Sequence, residues 1–164
     1  MTRFRDHQAM EQQDKTAERP EDRPIEEHFF ERSIAFNLRR SFNKVTDEVD
    51  SALSDFALSS HQFGVMTTIY FGRASTPSEV ARLRFQNGAA ITYTLDRLEQ
   101  RGLLKRTRSR DDKRVITLVL TDEGRELTRQ CMAIAVDVQN RMAEGLSPEE
   151  RELLFDMLRR VCEN

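Results

Sequence analysis

The sequence predicts a mainly α-helical chain carrying one small β-hairpin, and three observations support that expectation. Apolar residues recur at steps of three and four through much of residues 25–60 and 121–164. Thr76-Pro77-Ser78-Glu79 and Ser147-Pro148-Glu149-Glu150 each place a hydroxyl residue before a proline, with glutamate three positions on, which is capping-box chemistry at a helix start. By contrast, Val115-Ile116-Thr117-Leu118-Val119-Leu120 alternates with the period of a strand.

Taken in order, residues 1–24 include Glu18-Arg19-Pro20-Glu21-Asp22-Arg23-Pro24 and have few bulky apolar side chains, so they are expected to form a disordered tail. From Ile25 one long helix is expected. Its stripe is Leu38, Phe42, Val45, Val49, Leu53 and Phe56, broadened by Phe29, Phe30, Ile34 and Phe36. A second helix, about His61 to Phe71, turns Phe63, Met66, Ile69 and Tyr70 inward before Gly72 ends it. Thr76 caps a short helix running through Leu83. Asn87 caps the next, whose inward stripe is Ile91, Leu95 and Leu98. At 100° per residue, Ala89 and Tyr93 then face nearly opposite, with Thr92, Asp96 and Arg97 on the flanks. Gly102 stops this helix, and Leu103 to Arg108 begins an extended segment. After the tip Arg108-Ser109-Arg110-Asp111-Asp112-Lys113-Arg114, a second strand sets Ile116, Leu118 and Leu120 on one side. A helix from about Thr121 carries Leu127, Ile134, Val138 and Met142. The last carries Leu153, Leu154, Met157, Leu158 and Val161.

Composition narrows the functional classes. A 164-residue chain that is 38% hydrophobic has enough for a core, but a modest one, which points to a core shared between subunits. The absence of a run of about 18 apolar residues or a hydrophobic leader points to the cytoplasm. Cys131 and Cys162 lack CxxC spacing, and His7, His28 and His61 add no ligand pattern, so neither a metal nor a cofactor is expected. No nucleophile–base pair or glycine-rich phosphate loop argues for an enzyme.

Net charge is −2, yet residues 73–114 hold eleven Lys/Arg against five Asp/Glu, a local +6 that leaves −8 for the remainder. Such a basic centre concentrates attraction for phosphate on one region of an acidic molecule. The helix after Asn87 is small on its outer face at the start and larger further along, the shape wanted for entering a major groove end first. Asn87, Ala89, Thr92, Tyr93 and Arg97 are therefore candidate DNA contacts. Ser75 and Thr76, at a helix start, are candidate phosphate contacts. Asp96 would be repelled deep in a groove and is expected to be lifted clear or paired with an arginine. The hairpin reads as a wing, with Arg106, Arg108, Arg110, Lys113 and Arg114 as DNA-facing cations. Arg110 or Arg114 is suited to a minor groove, and Asp112 would orient Arg114 rather than touch DNA.

Gln62-Phe63, Glu79-Val80-Ala81, Ile91-Thr92, Asp96-Arg97-Leu98-Glu99-Gln100-Arg101-Gly102-Leu103-Leu104 and Asp112-Lys113-Arg114-Val115-Ile116-Thr117-Leu118-Val119-Leu120-Thr121-Asp122-Glu123-Gly124 stand in an order and spacing that resemble the multiple antibiotic resistance regulator (MarR) family of winged helix-turn-helix transcription factors, over roughly residues 30 to 162. The resemblance implies a homodimer on a pseudo-palindromic operator, usually a repressor released by a small aromatic or phenolic acid or by oxidation. It implies a dimerisation region from residues 25–60 and 121–164, flanking a DNA-binding domain at 61–120. It also implies an effector pocket between the dimer helices and the DNA-reading lobe, for which Phe36, Arg40, His61 and Met66 are candidates, with Arg40 as carboxylate partner. Tyr93 follows Thr92 where the family often has arginine, so sequence preference does not carry over. The family's peroxide-sensing branch has a cysteine near the first helix and this chain has none, so Cys131 and Cys162 read as packing or surface thiols. The alternatives are a redox-responsive regulator using those two thiols, or a winged-helix module that binds protein.

Overall fold

The computed structural model describes residues 25–108 and 115–163. The expected tail, and Arg110, Asp112, Lys113 and Arg114 of the wing tip, lie outside the described residues. The described chain is helical except for one two-stranded sheet: α1 (Ile25–Arg32), α2 (Ile34–Ala52), a 3-10 turn (Ser54–Phe56), α3 (Ser60–Tyr70), α4 (Pro77–Leu83), α5 (Gly88–Gln100), β1 (Leu104–Arg108), β2 (Ile116–Leu120), α6 (Asp122–Met142) and α7 (Pro148–Glu163). The mainly helical class with a β-wing is thus observed. No described helix is long and apolar enough to cross a membrane.

By its internal packing the chain divides into two compact units, one ending at Arg40 and the other beginning at Ser41. In the first, the expected single helix is broken at Ser33. The Ser33 hydroxyl accepts from the Phe36 amide at 3.2 Å, and the Asn37 side-chain amide donates to the carbonyls of Glu31 and Ser33 at 2.8 and 3.0 Å. Side chains thereby take the place of helix-ladder partners, ending one helix and starting another. Phe30 and Phe36 meet across the break at 5.1 Å between ring centroids. Ile34 and Leu38 are exposed.

In the second unit, Val49 of α2 and Leu53 just after it join a core with Val65, Met66, Val80, Ile91, Leu95, Leu98, Leu104, Leu118, Leu120, Cys131 and Val138. The inward stripes read from the sequence supply most of it. Ser59 caps α3 in a reciprocal box with Gln62, and the Asp50 carboxylate accepts from the Ser60 amide, fixing the turn out of α2. Helices α3, α4 and α5 end alike, each with a residue in the left-handed region and a 6→1 backbone bond: Arg73 to Thr68, Gln86 to Ala81 and Leu103 to Leu98, all at 3.0 Å. Gly72 (φ 64°) and Gly102 (φ 72°) fill that position in α3 and α5, as read from the sequence; in α4 it is Phe85, at φ 51° and 97% exposed.

Strands β1 and β2 are antiparallel, with Leu104 opposite Leu120 and Arg108 opposite Ile116. Leu118 and Leu120 are buried, but Ile116 remains 45% exposed, because its end of the hairpin runs beyond the core. The hairpin base is closed by Thr121, whose amide donates to the Leu103 carbonyl at 3.2 Å and whose hydroxyl donates to the Gly102 carbonyl at 2.7 Å. That hydroxyl also caps α6 by accepting from the Gly124 amide at 3.0 Å. A side chain at Gly124 would run into the Leu103 carbonyl, so glycine permits the close approach of α6 to the hairpin base. The Ser147 box at α7 forms as expected: its amide donates to Glu150 at 2.7 Å and its hydroxyl accepts from the Glu150 amide at 3.2 Å. Helix α7 nevertheless buries no residue.

Candidate nucleic-acid interface

The α4 cap forms as the sequence predicts, with a consequence for its anion-binding potential. The Thr76 hydroxyl accepts from the Glu79 amide at 3.3 Å, and one Glu79 carboxylate oxygen accepts from the amides of Ser75 and Thr76 at 2.8 and 3.1 Å. Those bonds, the one from Ser75 first, hold the Glu79 carboxyl below its ordinary pKa. The amides expected to await a phosphate are thus already engaged by a carboxylate, and Ser75 also directs its hydroxyl at Glu79, at 3.2 Å. The Ser75 carbonyl in turn accepts from the Leu118 amide at 2.7 Å, joining the start of α4 to the wing.

Helix α5 is positioned by its inner face. Ile91, Leu95 and Leu98 are fully buried, and Asn87 starts the helix by accepting from the Ala90 amide at 2.8 Å. With that stripe fixed, Asn87, Ala89, Thr92, Tyr93 and Arg97 all fall on the exposed surface. The Thr92 hydroxyl donates back to the Gly88 carbonyl at 2.8 Å, leaving its methyl group and a lone pair outward. Arg97 Nε donates to the Tyr93 hydroxyl at 3.3 Å, and the guanidinium carbon lies 5.6 Å from the ring centroid. Sequence projection put these two on neighbouring faces; the structure makes them one amphipathic unit.

Asp96 is paired with an arginine, one of the two outcomes expected for it, and the partner is Arg106. One guanidinium nitrogen of Arg106 lies 2.7 Å from Asp96 and 2.6 Å from Glu99, while its backbone amide donates to Glu99 at 3.1 Å. Partial burial alone would lower the Arg106 pKa, but the hydrogen bonds and charges of the two carboxylates outweigh it and raise the value. Arg106, expected to face DNA, is therefore engaged in bracing β1 against α5. Arg101 is similarly committed, donating to the carbonyls of Ala57 and Phe56 at 2.6 and 2.8 Å. Two of the cations that made the region basic are thus structural. Arg108 is exposed at the end of β1, from which the tip departs.

The effector candidates separate. Met66 is fully buried in the core and so does not line an open site; its helical spacing reflected packing. His61 is exposed in the first turn of α3, at the edge of a cavity of about 240 Å³ that also involves Phe42, Ser60, Phe63, Arg84 and Gln139. Phe36 and Arg40 are exposed residues of the first unit. Arg84 drew no functional reading from the sequence because its outward or inward direction depends on how α4 packs. Cys131 is fully buried, and burial pushes its thiol pKa up against a smaller opposing pull from Arg101. That shift opposes thiolate formation. Cys162 is exposed.

Two short capped helices, the second with a buried inner stripe and an exposed polar outer face, followed at once by a two-stranded wing braced to it, define a winged helix-turn-helix DNA-binding regulator. The MarR family model matches residues 58–115. The transcriptional regulator PecS of Dickeya dadantii (strain 3937) is 31% identical over 69% of this chain and 70% of its own. The chain belongs to the MarR family, whose members are transcriptional regulators and not enzymes. Among solved structures, a mutant MarR from Escherichia coli complexed with operator DNA is 25% identical, with a TM-score of 0.72 over 78% of this chain and 92% of that one. CouR from Rhodococcus jostii RHA1 bound to p-coumaroyl-CoA is 26% identical, with a TM-score of 0.72 over 80% and 93%.

Proposed function

We propose that the protein acts as a homodimer on a pseudo-palindromic operator, repressing transcription until a small aromatic or phenolic acid releases it. The observation that carries the reading is the two-sided character of α5: a fully buried inner stripe fixes the helix while Asn87, Ala89, Thr92, Tyr93 and Arg97 stay exposed. Thr92 and the Tyr93–Arg97 unit are assigned to base edges, and Ser75 and Thr76 to phosphate in competition with Glu79. Arg108, Arg110, Lys113 and Arg114 are assigned to the wing's DNA contact, with Asp112 orienting Arg114. Dimerisation through the terminal helices is supported by the exposed Leu153, Leu154, Phe155 and Val161 of α7 and, separately, by Phe29, Phe30 and Ile34 of the first unit. Resemblance to CouR, which is bound to an aromatic acyl conjugate, supports the ligand class.

The test is salt-dependent DNA binding on palindromic fragments with half-sites about 34 Å apart. Arg114→Ala is expected to weaken binding to many sequences and to lower the salt slope by about 1 for each wing, whereas Thr92 or Tyr93 replacements change sequence preference. Unchanged affinity and slope for Arg114→Ala defeat the wing assignment.

A further inference from the structure

Phe85 stands in the turn between α4 and α5, at φ 51°. In that left-handed region its Cβ crowds the following carbonyl, a strain that glycine avoids at the ends of α3 and α5. The ring brings no return within the chain, being 97% exposed. A strained residue held without internal packing points to a role outside its own fold. Its surroundings indicate the partner. Phe85 lines an open cleft of about 500 Å³ together with Leu83, Arg73, Arg82, Ser75 and Glu79. Leu83 is itself half-exposed and extends the apolar wall. Arg73 and Arg82 are exposed and form no ion pair among the described residues. The one carboxylate of the cleft, Glu79, is turned onto the amides of Ser75 and Thr76. What faces outward is therefore a small apolar surface beside two unpaired cations. Two apolar side chains fall far short of the roughly 800 Å² that each partner gives a standard protein interface, but they match the face of one sugar. Deoxyribose set between phosphates is the surface that a DNA strand presents. Phe85 also lies only two residues before Asn87, hence within about 7 Å of it along the chain. That is the end of α5 assigned to enter the groove first.

We propose that Phe85 is a DNA-contact residue whose ring packs on a deoxyribose at the lip of the major groove, while Arg73 and Arg82 pair with the flanking phosphates. The inference rests on the operator reading above and adds to it a contact that carries no sequence information. The left-handed turn is the device that holds the ring clear of its own lobe. Stability given up in the free protein is recovered when the ring leaves water against the sugar.

The probe is a duplex selected from a random-sequence pool by the full-length wild-type protein, with binding read by fluorescence anisotropy across a salt series. Phe85→Gly and Phe85→Asn both tolerate a positive φ, and each is expected to bind that duplex about tenfold more weakly through loss of the ring's burial. Their salt slope is expected to match the wild type, because an apolar contact releases no counter-ions. Arg82→Gln, by contrast, is expected to lower the slope by about 1 for each engaged subunit. A second selection with Phe85→Gly should return the same sequence, and the denaturation midpoint of both variants should hold or rise. A weaker complex from a protein that is no less stable is a result that a merely structural role for the ring does not produce. The proposal is overturned if both variants keep wild-type affinity, which would leave the ring to a protein partner, or if affinity and stability fall together. It is also overturned if Arg82→Gln keeps the full slope or if the selected sequence changes. A wild type that selects no duplex defeats the operator reading and this contact together, whereas variants that bind like the wild type defeat the Phe85 contact alone.

Discussion

Helices α5 and α7 begin alike, each started by a side-chain cap and carrying an apolar stripe, yet their surroundings are opposite. In α5 the stripe is sealed: Ile91, Leu95 and Leu98 have no solvent exposure. In α7 nothing is buried, and Phe155 is 60% exposed. The difference lies in what stands opposite each helix. Helix α5 lies between α3, α4 and the hairpin, so its apolar face is covered by its own chain, while α7 presents an equivalent face to solvent. One helix is held by the fold, and the other carries an exposed apolar face.

The sharpest way to break that contrast is Leu95→Ala. Removing a fully buried leucine is expected to lower stability by about 2–5 kcal/mol, with a midpoint that falls equally at every protein concentration. Phe155→Ser should do the reverse. If α7 forms the proposed dimer surface, losing one large apolar contact there is expected to weaken dimerisation by about 2 kcal/mol while the isolated subunit keeps its stability. Its melting midpoint would then respond to dilution where the wild type still resists. An unchanged dimer dissociation constant in ultracentrifugation would remove α7 from the interface.

Smaller effects sharpen the comparison within the reading lobe. Phe85 occupies a left-handed position that glycine fills at the ends of α3 and α5, and its side chain is almost wholly exposed. Phe85→Gly is therefore expected to stabilise the lobe by about 1 kcal/mol in chemical denaturation. A loss of stability would mean that the ring has a packing role. Asn87→Ala, which removes the α5 cap, should cost about 1 kcal/mol. The least effect is expected from Glu79→Gln, a small loss near neutrality that disappears in acid. Because the folded Glu79 carboxyl sits below its ordinary value of 4.5, its contribution is complete above that pH and is lost as pH falls through the folded value. The variant should flatten that part of the stability profile and leave its shape near neutrality unchanged.

What the sequence made legible was local. The boxes at Thr76 and Ser147, the Asn87 cap, the glycine stops and the α5 stripe depend on residues within one or two turns, and each forms as read. The break at Ser33 escaped because continuous apolar spacing hides a serine and an asparagine that capture backbone groups. The end of α4 escaped because a phenylalanine there gives no sign of a left-handed turn. Among the cations, charge alone did not separate exposed Arg97 and Arg108 from Arg84, Arg101 and Arg106. The last three take their directions from tertiary neighbours, and Arg106 meets Asp96 and Glu99 only once β1 folds back on α5. Ile116 shares a face with Leu118 and Leu120, but alternation does not say how far a core extends along a strand.

The Thr121 knot has a mechanical consequence. Its two bonds to Gly102 and Leu103, and the tight seat of Gly124 on the Leu103 carbonyl, clamp both feet of the hairpin to the first turn of α6. The wing is thus a lever rigidly mounted on that helix. A small tilt of α6 becomes a larger sweep at the Arg108–Ile116 end of the hairpin, which lies farthest along the strands from the clamp. Spin labels at Arg108 and Arg125 should keep one separation with and without DNA, and a changed separation would show that the mount yields.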